Sequence, residues 1–165
     1  GYPFTTKIPQ LGVMRYDDRD IVLADIPGIL EGASSGLGMG IKFLKHISRT
    51  NGIAYLVDIS DERYLDSFDI LKGELSEFSK ELAAKKSIII ATKMDEGDDA
   101  WQRFDQIKKK YPGMTVLPLS IYMDELPEPV KQAFMSLSAK EEAMEKESGG
   151  FTSRMDNNAE YRDEE

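Results

Sequence analysis

Three short stretches carry side chains whose types could do chemistry together, and each follows a run that reads as a β-strand. The first is Asp25-Ile26-Pro27-Gly28. A carboxylate at a strand end can hold Mg²⁺, usually through a water. A glycine three residues on lets a backbone N–H approach a terminal phosphate with no side chain in the way. Alone the tetrad is weak, because a strand-ending turn would use the same Pro-Gly pair. The second stretch is Thr92-Lys93-Met94-Asp95. Its carboxylate can accept two hydrogen bonds from the N1 and N2 donors of guanine, a pattern adenine lacks. The lysine stem can lie over the base while Thr92 ties neighbouring loops together. A solvated strand-to-loop junction would carry the same residue types. The third is Ser120-Ile121, where a backbone N–H could meet the guanine carbonyl oxygen; by itself the pair says almost nothing. Order says more. Asp95 lies 70 residues after Asp25, and Ser120 a further 25 along, which is the layout of a guanine-nucleotide-binding α/β domain.

The elements that must position these residues follow from periodicity. Residues 12–16 and 20–25 are extended runs separated by Asp17, Asp18 and Arg19, which predicts a hairpin. After a glycine-dense segment, Leu37, Ile41, Leu44 and Ile47 share one helical face that stops near Asn51-Gly52. The apolar runs 53–59, 87–91 and 114–119 predict strands buried on both faces. Between and after them, helical stripes run through Leu65–Leu82, Trp101–Tyr111 and Leu126–Leu137, and Trp101 is expected in the core. Pro127 and Pro129 are tolerable because they fall in a first turn. Alternating strands and helices imply right-handed crossovers and a three-layer, mostly parallel sheet, with ligands at the carboxyl ends of its strands.

At this point the sequence resembles the Obg-type GTPases of the translation-factor-related class. The residues that carry the resemblance are Tyr2-Pro3-Phe4-Thr5-Thr6, Pro9-Gln10-Leu11-Gly12, Ala24 to Gly28, Glu31-Gly32-Ala33, Gly36-Leu37-Gly38 and the block Phe43 to Thr50. The similarity covers roughly residues 1–138 and is densest over 1–60. It implies the P-loop GTPase fold, GTP and GDP as ligands, Mg²⁺ as cofactor, and a hydrolytic switch acting in large-ribosomal-subunit maturation and growth or stress control. By the same resemblance Thr6, or else Thr5, is the switch threonine engaging Mg²⁺ and the γ-phosphate. Asp25 is the Mg²⁺-side aspartate and Gly28 the γ-phosphate sensor. Lys93 and Asp95 read guanine, and Ser120 and Ile121 belong to the last base-contact motif. Thr92 stands where the family usually has Asn, and Ile121 where it usually has a small Ala.

Two departures bear on mechanism. Many GTPases carry Gln after the D-x-x-G glycine to orient the attacking water. Ile29 holds that position and cannot hydrogen-bond, so intrinsic hydrolysis is expected to be slow unless another group places the water. Further, no G-x-x-x-x-G-K-[ST] occurs in the 165 residues. In the family that loop lies just upstream of the YPFTT stretch, on the central strand. The chain is thus expected to be the carboxyl-terminal part of a GTPase domain. By itself it is expected to bind GTP weakly, turn it over negligibly, and leave the 22–25 and 53–59 strands without their shared neighbour.

Composition bounds the rest. With no cysteine, a disulfide framework, a thiolate zinc site and a cysteine nucleophile are excluded. No apolar run reaches a membrane span and no leader opens the chain, so a cytoplasmic protein is expected. The net charge of −9 argues against coating nucleic acid, and no DNA sequence reader is expected. Residues 139–165 hold 9 acidic and 4 basic side chains with few large apolar ones, which predicts an acidic, disordered tail, helical at most to about Glu147. Residues 1–138 then form the partial GTPase domain. Lys42, Lys45, His46 and Arg49 make a basic helix surface that could touch ribosomal RNA or simply be solvated. Lys108-Lys109-Lys110 is accounted for by a helix dipole. The competing reading is a nucleotide-independent interaction scaffold or degenerate domain; an adenine-nucleotide protein is opposed by Asp95.

Overall fold

The computed structural model describes residues 11–26, 49–120 and 125–148. Strands β1 (Leu11–Tyr16) and β2 (Arg19–Ala24) form an antiparallel hairpin in which Tyr16 pairs with Arg19. The turn is therefore Asp17-Asp18 alone, one residue shorter than expected. Both residues have positive φ, 52° and 59°, as a two-residue turn matching strand twist requires. Aspartate tolerates that region better than most residues. Met14 and Ile21, opposite one another, form the hairpin's buried pair, whereas Val13 is exposed.

The second sheet is parallel. It contains β3 (Gly52–Asp58), β4 (Lys86–Thr92) and β5 (Val116–Pro118), in that spatial order. Helices α1 (Tyr64–Phe78) and α2 (Lys80–Ala83) connect β3 to β4, and α3 (Ala100–Lys110) connects β4 to β5. Helix α4 (Glu128–Ser148) follows, with Pro129 in its first turn.

Alternation along β4 divides the core into two layers. Ile89 and Ala91 pack with Ile53, Tyr55, Val57 and Val116 against Phe68, Leu75, Leu82, Phe104 and Ile107 of α1, α2 and α3. Ile88 and Ile90 face the other way and pack on Val130 and Leu137 of α4. The result is an α/β three-layer arrangement, consistent with part of a P-loop GTPase fold. Among the described residues no helix is long and apolar enough to cross a membrane.

Several expectations are corrected in detail. β4 is buried on both faces, but β3 is not. Leu56 is 56% exposed, because β3 is an edge strand among the described residues and α4 covers that face only in part. The Leu65–Leu82 stripe is two helices. Ser79 adopts an extended conformation, its N–H donates to the Leu75 carbonyl, and its Oγ accepts from the Leu82 N–H at 3.2 Å. Leu82, just past the break, is buried. Trp101 is 59% exposed, since the buried stripe of α3 is Ala100, Phe104 and Ile107, with Trp101 edge-on to Phe104 outside it. Lys110 does more than face a dipole: its Nζ donates to the Leu65 carbonyl at 2.6 Å and lies 3.5 Å from both Asp66 and Asp69, tying α3 to α1. Helix α4 runs through Ser148.

Candidate functional site

The carboxyl ends of β3, β4 and β5 lie side by side because the three strands are parallel and in register, with Asp58 opposite Thr92 and Ala91 opposite Pro118. Just past these ends the loops are stitched together by backbone. The Ile59 N–H donates to the Thr92 carbonyl (3.1 Å), Leu119 N–H to the Ala91 carbonyl (2.8 Å), and Met94 N–H to the Leu119 carbonyl (3.2 Å). The Thr92 hydroxyl donates to the Val57 carbonyl at 3.3 Å. Met94 anchors the loop by burying its side chain in the first core layer.

Lys93 departs from this regular path with φ +61°, outside the hairpin turn the only positive φ on a non-glycine among the described residues. That conformation crowds Cβ against the backbone and persists only when the surroundings enforce it. The turn it makes sends Lys93 toward β3 and Asp95 toward β5. Lys93 Nζ sits 2.8 Å from Asp58 Oδ2. The Asp95 carboxylate accepts from the Ser120 hydroxyl at 2.7 Å. A carboxylate offers about four lone-pair sites. The single bond from Ser120 therefore orients Asp95, which is exposed, while leaving it able to accept from a ligand.

Asp58 is held on both oxygens: Oδ1 accepts from the Ser60 N–H (2.9 Å) and the Ser60 hydroxyl (2.6 Å). Burial opposes its ionisation, but the hydrogen bonds from Lys93 and Ser60 outweigh that and hold the carboxyl below the ordinary carboxylate range. Reciprocally, the hydrogen bond to Asp58 and its charge raise the Lys93 ammonium above its usual value. The loop carrying Ser60 is braced by α3. Arg103 donates to the Ile59 carbonyl (3.1 Å) and the Asp61 carbonyl (3.4 Å), pairs with Asp99 at 2.8 Å, and lies over the Tyr64 ring at 4.7 Å.

The structure thus brings Thr92, Lys93, Asp95 and Ser120 into one cluster. Asp25 lies exposed just after β2, and the next residue, Ile26, packs against the first core layer. Thr5, Thr6, Gly28, Ile29 and Ile121 lie outside the described residues, as do Lys42, Lys45 and His46. An exposed carboxylate such as Asp25 suits Mg²⁺, which takes one or two protein oxygens and completes its shell with waters and phosphate oxygens. Two members of the cluster escaped the sequence reading: Asp58 and Ser60. The available signal was a charged residue closing an otherwise apolar strand.

A family model described as 50S ribosome-binding GTPase matches residues 1–93, more than half of the chain. The chain belongs to that family. It is 56% identical over 138 residues to the GTPase Obg of Treponema denticola, covering 83% of this chain and 36% of that protein. Against the GTPase Obg of Borreliella afzelii the identity is 47% over 135 residues, 81% of this chain and 41% of the relative. The Treponema pallidum protein of the same name is 44% identical over 142 residues. The chain thus spans well under half the length of the curated relatives it matches, and it is recognised as Obg-type over most of its own length.

Proposed function

We propose that this chain supplies the base-reading part of a GTP-binding and GTP-hydrolysing switch. The whole protein would use Mg²⁺ and work in the cytoplasm on the large ribosomal subunit, in its assembly and in growth or stress control. The observation that carries the reading is the Asp95 carboxylate, held by Ser120 beside Lys93 at the carboxyl end of a parallel sheet. The relatives' printed name, GTPase Obg, and the family's description support the switch and the ribosomal partner.

In this reading Asp95 accepts from N1–H and the N2 amine of guanine, and the Lys93 stem covers one face of the base. The backbone at Ser120-Ile121 meets the carbonyl oxygen, and Thr92 holds the loop to β3. Asp25 and Thr6, with Thr5 as the other candidate, would hold Mg²⁺, which neutralises phosphate charge when bound. Gly28 would donate its N–H to the γ-phosphate. Water attacks the γ-phosphorus as its bond to the bridging oxygen breaks, leaving GDP and phosphate. Ile29 offers that water no hydrogen bond, so the intrinsic rate is slow. Residues 1–165 alone contain no glycine-rich phosphate loop, and alone they are expected to bind GTP weakly and not to turn it over.

The test is nucleotide competition on the full product of the gene encoding this chain. GDP should be preferred over ADP by roughly 10⁴-fold, the scale on which a hydrogen-bonding site rejects a ligand lacking its donors. Asp95→Asn should transfer the preference to xanthosine diphosphate, whose C2 carbonyl needs the amide donor that Asn provides. Equal binding of GDP and ADP, or an Asp95→Asn variant still preferring GDP, refutes the reading.

A further inference from the structure

Lys93 is restrained at both ends. Its backbone is locked in the left-handed region, and its Nζ is fixed 2.8 Å from Asp58. Asp58 in turn cannot swing freely, because Ser60 occupies its other oxygen through both N–H and hydroxyl, at 2.9 and 2.6 Å. The loop beneath is itself clasped by Arg103 through the Ile59 and Asp61 carbonyls, and Ile59 is fully buried. Only one register neighbour separates the two charges, since Asp58 lies opposite Thr92 on the adjacent strand. A lysine has about four rotatable bonds to freeze when its stem packs on a ligand. Here the freezing has been done in advance by a carboxylate of another strand.

From this we infer that Asp58 is a positioning residue for nucleotide binding. It acts through the Lys93 ammonium to hold the lysine stem ready for a planar, guanine-type base. The inference rests on the base-reading role proposed above for the 92–95 loop. It adds a residue from β3 to a site otherwise built from β4 and β5, and it makes the β3–α1 loop part of base recognition. Pre-organisation of this kind raises affinity without adding a contact to the ligand, and loss of it shows mainly in the dissociation rate.

The experiment measures GDP and inosine diphosphate dissociation from the full gene product and from Asp58→Asn, Lys93→Met and the double variant. Circular dichroism melting accompanies each. Asp58→Asn keeps an oxygen for Ser60 but loses the charge that holds Lys93, and GDP should leave about tenfold faster. Lys93→Met keeps an apolar stem and loses the ammonium, so adding Asp58→Asn to it should change dissociation by less than twofold. Inosine lacks the N2 amine read by Asp95, whereas a covering stem does not sense that amine. The GDP to inosine diphosphate ratio should therefore stay constant in Asp58→Asn. A merely structural Asp58 would slow or speed both backgrounds alike, and a disturbed Asp95 would shift the ratio; either result overturns the inference. If Asp58→Asn does not fold, Ser60→Ala, which removes one of the two donors to Asp58 Oδ1, should give a two- to threefold faster GDP release at constant ratio, and no change refutes the proposal. A wild-type protein that binds GDP no better than ADP defeats the function proposed above and this inference with it. A guanine-selective wild type with additive variants defeats this inference alone.

Discussion

Gly52 begins β3, and the structure gives it no room for a side chain. A Cβ built there lies 2.9 Å from Leu137 Cδ2, 3.1 Å from Leu137 Cβ and 2.9 Å from the Lys86 carbonyl oxygen. Carbon atoms rest comfortably at roughly 3.5–4.0 Å, so the new methyl is compressed from two directions. Neither neighbour yields easily. Leu137 is buried in the layer between α4 and the sheet, and the Lys86 carbonyl belongs to the residue paired with Gly52 in the ladder. Overpacking of this kind costs about 1–3 kcal/mol. Against it stands the relief of losing a glycine from a strand, about 0.5–1 kcal/mol, available because Gly52 has no positive φ to preserve. Gly52→Ala is therefore expected to weaken the β3–β4–α4 junction by about 1–2 kcal/mol, a factor of roughly 5–30 in the opening equilibrium. Amide hydrogen exchange of the β3 and β4 amides in the full gene product reads that factor directly, because exchange reports local opening whatever the rest of the protein does. Combining it with Leu137→Ala should cost less than the sum of the two single changes, since the second substitution removes the Cδ2 contact and leaves only the contacts with the Lys86 carbonyl and the residue-137 Cβ. Undiminished protection in Gly52→Ala, or strict additivity with Leu137→Ala, would refute the steric argument.

Two further outcomes follow from the same contacts. Ser79→Ala removes the oxygen that accepts from the Leu82 N–H, and loss of a helix cap costs about 0.5–2 kcal/mol, so exchange at the start of α2 should rise while α3 is unchanged. The Asp58–Lys93 pair sets a pH window. Asp58 titrates below its ordinary range, so its contribution is present above that range and fades as pH falls through the lowered value. Lys93 titrates above its ordinary range, so while Asp58 is ionised its contribution is present below that range and fades as pH rises through the raised value. The stability difference between wild type and Asp58→Asn should thus stay flat between about pH 5 and pH 10 and shrink at both extremes. Added salt should reduce it throughout, because the two side chains are 36% and 43% exposed. A difference that peaks near pH 7 and is insensitive to salt contradicts this account.

How much of the fold was legible depended on whether local pattern and tertiary demand agreed. β4 was readable because Ile88, Ile89 and Ile90 are needed on two opposite core layers, and a run of isoleucines announces that requirement. β3 carries an equally apolar run, yet Leu56 is exposed, because hydrophobicity in a single strand does not reveal which face a neighbour will cover. The stripe through α3 holds at Phe104, Ile107 and Tyr111, and only its first member, Trp101, falls outside the core. Ala100 occupies the core position, and alanine signals burial weakly beside an adjacent tryptophan. The break at Ser79 was hidden for a different reason: the apolar period continues across it, and the cap shows itself only once Ser79 Oγ is seen accepting from Leu82.

The site follows a simpler rule, and the rule explains both what was found and what was missed. A parallel sheet delivers the carboxyl end of every strand to one edge, so the first polar residues after each strand meet there without needing sequence proximity. Applied to β4 and β5, that rule identifies Thr92, Lys93, Asp95 and Ser120, and Asp95 does meet Ser120 across 25 residues of chain. Applied with equal weight to β3 it would have selected Asp58 and Ser60, which had no motif to recommend them. Their importance is set by the left-handed turn at Lys93, which no residue preference announces, since lysine is not a residue that favours positive φ. That turn aims the lysine back at β3 instead of outward to solvent, and only then does a strand-closing aspartate become the partner that fixes it. Motif reading recovers the residues proposed above to touch a ligand. The residues that hold those side chains in place are recovered by asking, for every strand end in turn, what its charge is facing.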